Sequence, residues 1–317
     1  MTTRNNSIKI FKNGALMLLG LIAVFCLSYE VYNYFHGDKA KTNKVISSDK
    51  RTGSEVRGKK APKNNIKSNI KQDSDMDKDR RHNVSKDGMK YTYDAQKVKD
   101  ILDNKALNDG KKIAFLTFDD GPSTTVTPII LNTLKNYDVK ATFCLMGENV
   151  EKDEKSKELV KEIFEEGHAI ANHTYTHNIR KLYPGNRIDV NTVMAEVDQD
   201  NAAIRNIVGQ DFNTRVLRLP GGYMSRVYYH DPNLDEFNAK LKEKDMYSID
   251  WNAYDFDAEG RRKNAEQLLE HVERSVGTQQ KVVILMHDTY GKEETAKALP
   301  QIIEYLKGQG YEFKTIA

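Results

Sequence analysis

From about residue 91 to the C-terminus, short apolar runs alternate with amphipathic stretches of helical period. That alternation restricts this part of the chain to parallel βαβ units. The strand-like runs are Lys112–Phe118, Lys140–Met146, His168–His173, Val216–Leu219, Met246–Trp251, Lys281–His287 and Tyr311–Ile316. Between them, helical spacing marks Thr125–Tyr137, Lys155–Glu166, Asp189–Val208, Asn233–Lys244, Ala265–Val276 and Lys292–Lys307. Periodicity does not separate an open sheet from a barrel, but seven strands in so short a stretch suit a barrel better. In a parallel barrel, chemistry gathers at the C-terminal ends of the strands. A further helical pattern, Asp94 to Leu107 with Val98, Ile101 and Leu102, is expected to pack on the outside.

The N-terminal third reads differently. Arg4, Lys9 and Lys12 precede an apolar run from Ala15 to about Leu27, and the aromatic segment Tyr29–Phe35 follows. Basic residues before the run place the N-terminus in the cytoplasm and the bulk of the chain outside. The apolar part alone is shorter than the ~20 residues of a usual span, and Tyr29, Tyr32, Tyr34 and Phe35 would complete it as an interfacial belt. A cleavable signal peptide is the competing reading, but no small-x-small cleavage site follows. The expectation is a cytoplasmic tail at 1–12 and an uncleaved signal anchor at 13–35. Between His36 and Lys90 stand 16 Lys and Arg against 8 Asp and Glu, with little apolar content. Such a segment cannot bury enough surface to offset its chain entropy, so 36–90 is expected to be a disordered basic linker. The net charge of the whole is only +3 and the remainder is close to neutral or mildly acidic, which argues against a nucleic-acid-binding core. The two cysteines, Cys26 and Cys144, sit in apolar runs and are read as packing residues.

Polar clusters fall at the strand ends. Thr117-Phe118-Asp119-Asp120-Gly121-Pro122 closes the first strand, and adjacent carboxylates there are costly unless a cation or proton uses the charge. Asn172-His173-Thr174-Tyr175-Thr176-His177 follows the third, Arg218-Leu219-Pro220-Gly221-Gly222 the fourth, Asp250-Trp251 the fifth and Leu285-Met286-His287-Asp288 the sixth. His173 and His177 have the i,i+4 spacing that lets two imidazoles reach one metal from a helical turn. With one carboxylate they make an open, catalytic type of site rather than a closed structural one.

These five ordered motifs resemble those of the NodB-homology polysaccharide deacetylases, carbohydrate esterase family 4, from about Lys111 to Ala317. The resemblance implies an α/β fold, a distorted (β/α)7 barrel at 111–317, with 91–110 as a helical lead-in. It implies metal-dependent removal of N-acetyl groups from N-acetylglucosamine residues of a cell-wall polysaccharide, with peptidoglycan as the expected substrate, as in the membrane-anchored enzymes of Gram-positive bacteria. Chitin-type oligomers, an exopolysaccharide or acetylxylan are the alternative substrates, and a silent glycan-binding protein is the alternative class. Asp120, His173 and His177 would hold one divalent ion, Zn2+ by family habit, with Co2+, Mn2+ or Ni2+ as substitutes. Asp119 would be the general base, oriented by Arg218. The backbone N–H of Gly221 would face the oxyanion. His287 would be the general acid, with Asp250 as its hydrogen-bond partner.

Trp251 and Leu285 would line the slot for the acetyl methyl, and Tyr223 would stand in the groove wall. Partners implied are a wall glycan and the membrane, with a monomeric, extracellular catalytic domain on a single-pass anchor. Two departures from the family pattern stand out. Gly221 and Gly222 follow Pro220 where an aromatic residue is common. The fifth-strand motif runs Asp250-Trp251-Asn252-Ala253-Tyr254-Asp255-Phe256-Asp257, so Asp255 and Asp257 compete with Asp250 for His287. His168 and His271 are read as packing or surface residues, and Asp288 as a helix cap or a solvated side chain.

Overall fold

The computed structural model describes residues 82–317. In chain order they form β1 (Thr92–Tyr93), α1 (Ala95–Leu102), β2 (Ile113–Gly121), α2 (Thr127–Asn136), β3 (Thr142–Leu145), α3 (Gly147–Val150), α4 (Glu154–Glu165), β4 (Ala169–Asn172), α5 (Ile179–Leu182) and α6 (Val190–Val208). There follow β5 (Val216–Leu217), α7 (Tyr223–Tyr228), α8 (Leu234–Glu243), β6 (Tyr247–Ser248), β7 (Ala253–Tyr254), α9 (Ala265–Val276), β8 (Lys281–His287), α10 (Glu293–Gly308), β9 (Glu312–Phe313) and β10 (Thr315–Ile316).

β2 is buried on both faces along nearly its whole length, as a central parallel strand requires. The sheet runs β6-β5-β4-β3-β2-β8-β7, with β9 beside the start of β2 and all neighbours parallel. It curls, but its two ends are not paired to each other. The expected fifth strand instead changes partner midway. Tyr247 and Ile249 donate their N–H groups to Arg215 and Leu217 of the β5 side, and Asn252 then donates to Val283 of β8. Asn252 completes the switch with its side chain, which bonds Lys281 O and Val283 N. The expected closed seven-stranded barrel is therefore a curled half-barrel bridged by one split segment. Its seventh strand is also divided, β9 lying on β2 and β10 on β1.

Alternation along β2 sorts the core into two layers. Ala114, Leu116 and Phe118 pack outward against the helices, together with Ile130, Leu299 and Ile303. Ile113 and Phe115 point into the curl, with Cys144, Ala171, Val216 and Val283. Ala95 and Val98 of α1 join this inner layer, so α1 packs into the curl rather than on the outside as expected. The helices begin where the sequence supplies capping side chains. Asp94, Asp153 and Asp189 each accept a backbone N–H in the first turn, and Asn264 forms a capping box with Gln267.

The ordered domain starts earlier than the expected linker boundary at residue 90. Asn83 is buried, its amide donates to Ile170 O and Ile316 O, and its carbonyl accepts from Ile170 N. The reason lies in the short pairing of β4 with β5, which meet only at Asn172 and Leu217. The lower part of β4 therefore needs another acceptor, and Asn83 supplies it. The expected signal anchor at 13–35 and the linker up to residue 81 lie outside the described residues. Among the described residues, no helix is long and apolar enough to cross a membrane.

Asn83→Ala should leave two buried carbonyl groups without their donor and cost about 1–3 kcal/mol. Equilibrium denaturation checks this, with a midpoint equal to wild type as the contrary outcome.

Candidate metal centre and active site

Two neighbouring residues on a regular strand point to opposite faces, so Asp119 and Asp120 should not share a site. A register shift between Asp119 and Gly121 in the β2–β3 ladder, with Asp120 at φ 69°, breaks the alternation. Asp119 stays inward, and Asp120 is turned toward the same mouth instead of the helix layer. The bulge is locked from beneath by Asp288. Its N–H donates to Asp119 O, its carbonyl accepts from Ser123 Oγ, and its carboxylate accepts from Thr127 Oγ1 at 2.6 Å. A Cβ on Gly121 would lie 2.3 Å from that carboxylate, so the position requires glycine. Asp288 is thus a fully buried clamp, neither a cap nor solvated, and burial pushes its carboxyl up to about 7.

The histidine pair comes from a loop, not the expected helical turn. Residues 173–178 carry no helix, and Thr174 and His177 have φ of 64° and 52°. His173 Nδ1 lies 2.6 Å from the carbonyl of Arg218, so the ring proton sits there and Nε2 presents a lone pair. That lone pair faces Asp120 Oδ1 at 3.1 Å, with His177 Nε2 3.6 Å from the same oxygen. Lone pairs facing an anionic oxygen form no hydrogen bond, and Asp120 Oδ1 is buried without a donor. One ligand atom from each of Asp120, His173 and His177 lies within 4.8 Å of the others. A divalent cation satisfies all three, and two imidazoles with one carboxylate are a donor set that suits zinc. Burial and the neighbouring His173 push His177 down to about 4, which keeps it neutral and available as a ligand.

Asp119 stands beside this group, 3.8 Å from His173 Nε2, and is held away from it by Arg218. Arg218 Nη1 contacts both Asp119 oxygens at 3.1 and 3.0 Å. Its Nε donates to Ile249 O at 2.5 Å and its Nη2 to Thr117 Oγ1 at 3.2 Å, with 1% of the residue exposed. Opposite, His287 is in register with Asp119 across the β2–β8 ladder. Its Nδ1 lies 2.6 Å from Asp257 Oδ1. The expected partner, Asp250, is engaged elsewhere, since its carboxylate accepts the N–H groups of Tyr223 and Met224 at 2.8 and 2.7 Å. The split of the fifth strand explains the correction. Asp250 precedes the crossover and faces α7, whereas Asp257 follows β7 and lies on the β8 side. Burial disfavours the His287 cation, but the Asp257 carboxylate outweighs it and raises the imidazole to about 10.

Leu285 lies two residues before His287 on the same face of β8 and is buried. Trp251 lies under the Arg218 guanidinium at 5.3 Å, and a Cβ on Gly222 would come within 3.0 Å of it. Gly221 and Gly222 both adopt positive φ, and Gly222 N–H donates to Leu219 O, so the turn leaves the Gly221 N–H for another acceptor. Tyr223 departs from expectation. Its ring stacks on Phe237 and its hydroxyl accepts from Asn238, lining an outer cavity of about 350 Å³ with Lys99, Met246 and Tyr247. His168 and His271 pack on Phe143 and Phe256.

The sequence reading missed the contribution of α6. Glu196, Asp200 and Asn201 are buried on the same face of that helix as Val193, Val197 and Ile204, and they hold the histidine loop. Acidic and amide side chains interrupting an apolar helical stripe were the available signal.

The polysaccharide deacetylase family model matches residues 106–233. A peptidoglycan-N-acetylglucosamine deacetylase of Bacillus cereus is 36% identical over 208 residues, covering 64% of this chain and 69% of the relative. The chain belongs to the polysaccharide deacetylase family, carbohydrate esterase family 4. A solved Streptococcus mutans esterase of this family superposes with a TM-score of 0.67 at 33% identity, over 74% of this chain and 96% of that one. A bifunctional xylanase/deacetylase of Pseudobutyrivibrio xylanivorans is 32% identical over 65% of this chain, but the match spans only 30% of that protein.

The Asp257–His287 pair should be visible in titration. The imidazolium is the form present below its pKa, and the pair's stabilising effect is full below about pH 6.5 and lost as pH rises through about 10. NMR of the His287 ring should show a cation persisting at pH 8 in wild type and a neutral ring there in Asp257→Asn. Unchanged titration in the variant would assign the partner elsewhere.

Proposed function

We propose that this polysaccharide deacetylase is a metal-dependent hydrolase that removes N-acetyl groups from N-acetylglucosamine residues of a cell-wall glycan, with peptidoglycan as its substrate. The observation that carries this reading is the separation of two adjacent carboxylates into different tasks. Asp120 faces two imidazole lone pairs, and Asp119 is held back by Arg218 beside them. The name of the Bacillus cereus relative supports the choice of glycan. Deacetylation of xylan is the second reading, favoured by the match to the bifunctional xylanase/deacetylase.

Asp120, His173 and His177 would hold the ion, which when bound supplies Lewis acidity toward a water and an acetamide carbonyl. Asp119 takes the proton from that water, in reach because it lies within 4 Å of the ligand atom of His173. Arg218 fixes both oxygens of the base, and its own carbonyl fixes the tautomer of His173. The Gly221 N–H, which the turn leaves for another acceptor, would serve the oxyanion. His287, kept protonated by Asp257, donates its proton to the departing sugar nitrogen, so water and amide become acetate and amine. Leu285 and Trp251 shape the acetyl slot. The backbone of Tyr223, bonded to Asp250, steadies the glycine turn.

Export and membrane anchoring are part of this reading, supported by the basic residues and apolar run at the N-terminus.

Acetate release from purified peptidoglycan should be abolished by a chelator and restored by zinc. Parallel assays on chitin oligomers and acetylated xylan rank the substrates, and faster release from xylan would support the second reading. Asp119→Asn should lower the rate about a hundred- to ten-thousand-fold while metal content by elemental analysis is unchanged. Full activity of Asp119→Asn would remove it as the base.

A further inference from the structure

The two histidine ligands are not equally secured. His173 is pinned at Nδ1 by the Arg218 carbonyl and at its backbone N–H by Asp200 and the Leu145 carbonyl. Among the described residues, the His177 ring has a hydrogen-bond contact only with its own backbone carbonyl, which does not tie it to another part of the fold. It meets the His173 ring at 4.7 Å and faces Asp120, and its side chain is 27% exposed. Its position must therefore come through the loop that carries it.

That loop is gripped from two sides. α3 takes its carbonyls, Gly147 N–H donating to Thr174 O and Glu148 N–H to Tyr175 O. The fit is close, since a Cβ on Gly147 would lie 2.1 Å from the Tyr175 ring. α6 takes the donors. Asp200 accepts from His173, and Glu196 accepts the Thr176 N–H at 3.0 Å. The Thr176 hydroxyl also donates to the Glu196 carboxylate, at 2.8 and 2.9 Å to its two oxygens. Glu196 is 2% exposed and is closed over by Lys181 at 2.8 Å. The Thr176 hydroxyl in turn accepts the Asn178 N–H, so one carboxylate fixes the residues on both sides of His177.

We propose that Glu196 is the positioning residue of the His177 ligand, and that through Thr176 it sets how tightly this protein holds its metal. The inference rests on the reading of Asp120, His173 and His177 as the ion's ligands. A carboxylate that never touches the ion acts here by restricting a left-handed loop residue, φ 52° at His177, that would otherwise sample other conformations. Lys181 neutralises the buried charge and ties the start of α5 to the same anchor.

The test is zinc affinity of the metal-stripped full chain, measured by competition with a chromophoric chelator. Removing partners that orient metal ligands typically weakens binding about 10- to 100-fold, and Glu196→Ala should fall in that range. At saturating zinc its acetate-release rate should return to within a few-fold of wild type, which a general loss of structure would not allow. Glu196→Gln, which keeps one acceptor oxygen, should bind with intermediate affinity. Thr176→Val should weaken zinc binding alone but add little on top of Glu196→Ala, because both remove the same link. A folded Glu196→Ala that binds zinc within twofold of wild type would overturn the inference. If that variant does not fold, Glu196→Gln with wild-type affinity would do so. Wild-type protein that binds no zinc would instead remove the metal reading itself, and this inference with it.

Discussion

Arg218 is a charge with almost no water around it, and such a group is stable in a protein only when its donors are engaged. Its guanidinium reaches Asp119, Thr117 and the carbonyl of Ile249, and its own carbonyl receives the ring proton of His173. One residue thereby orients Asp119, fixes the tautomer of His173 and ties down the segment that bridges the open side of the sheet. Burial works against the Arg218 cation, but the Asp119 carboxylate outweighs it and raises its pKa above the usual arginine value. The pair is then a fixed object around which the other groups are arranged.

The second constraint is the bulge at Asp120. Without it, strand alternation would send one carboxylate into the apolar layer beneath α2 and α10, where a charge has no partner. With it, two acidic residues adjacent in sequence acquire different surroundings, one beside a guanidinium and one beside two imidazoles. Asp288 and the absent Cβ of Gly121 hold that geometry. The Gly-Pro turn after the two aspartates is thus part of the site and more than a chain reversal.

Much of this was legible in the sequence. Apolar runs located the strands of the curled sheet except β7, and the polar residues at their ends named Asp120, His173 and His177, the Asp119–Arg218 pair and His287. What stayed hidden depended on where the chain changes direction between those runs. The fifth run reads as one strand, Met246–Trp251, yet only its start pairs, on β5, and the chain goes on to β8 at Ala253–Tyr254, beyond the run's end. That division decides that Asp257, not Asp250, meets His287. The histidine spacing suggested a helical turn, but Asn172 and Thr174 favour local side-chain bonds to the backbone and open it into a loop. Glu196 and Asp200 escaped notice because a helix written as amphipathic hides the purpose of polar groups on its buried face. Asn83 sits in a stretch whose composition resembles a linker, and only the unpaired edge of β4 gives it a place.

The division of labour between Asp119 and Asp120 is most directly tested by the anomalous scattering of zinc in crystals of the zinc-loaded protein. A single peak is expected at ~2.0–2.2 Å from Asp120, His173 and His177, with Asp119 still paired to Arg218 and not bonded to the ion. A peak ligated by Asp119, or one lying away from the two imidazoles, would contradict it.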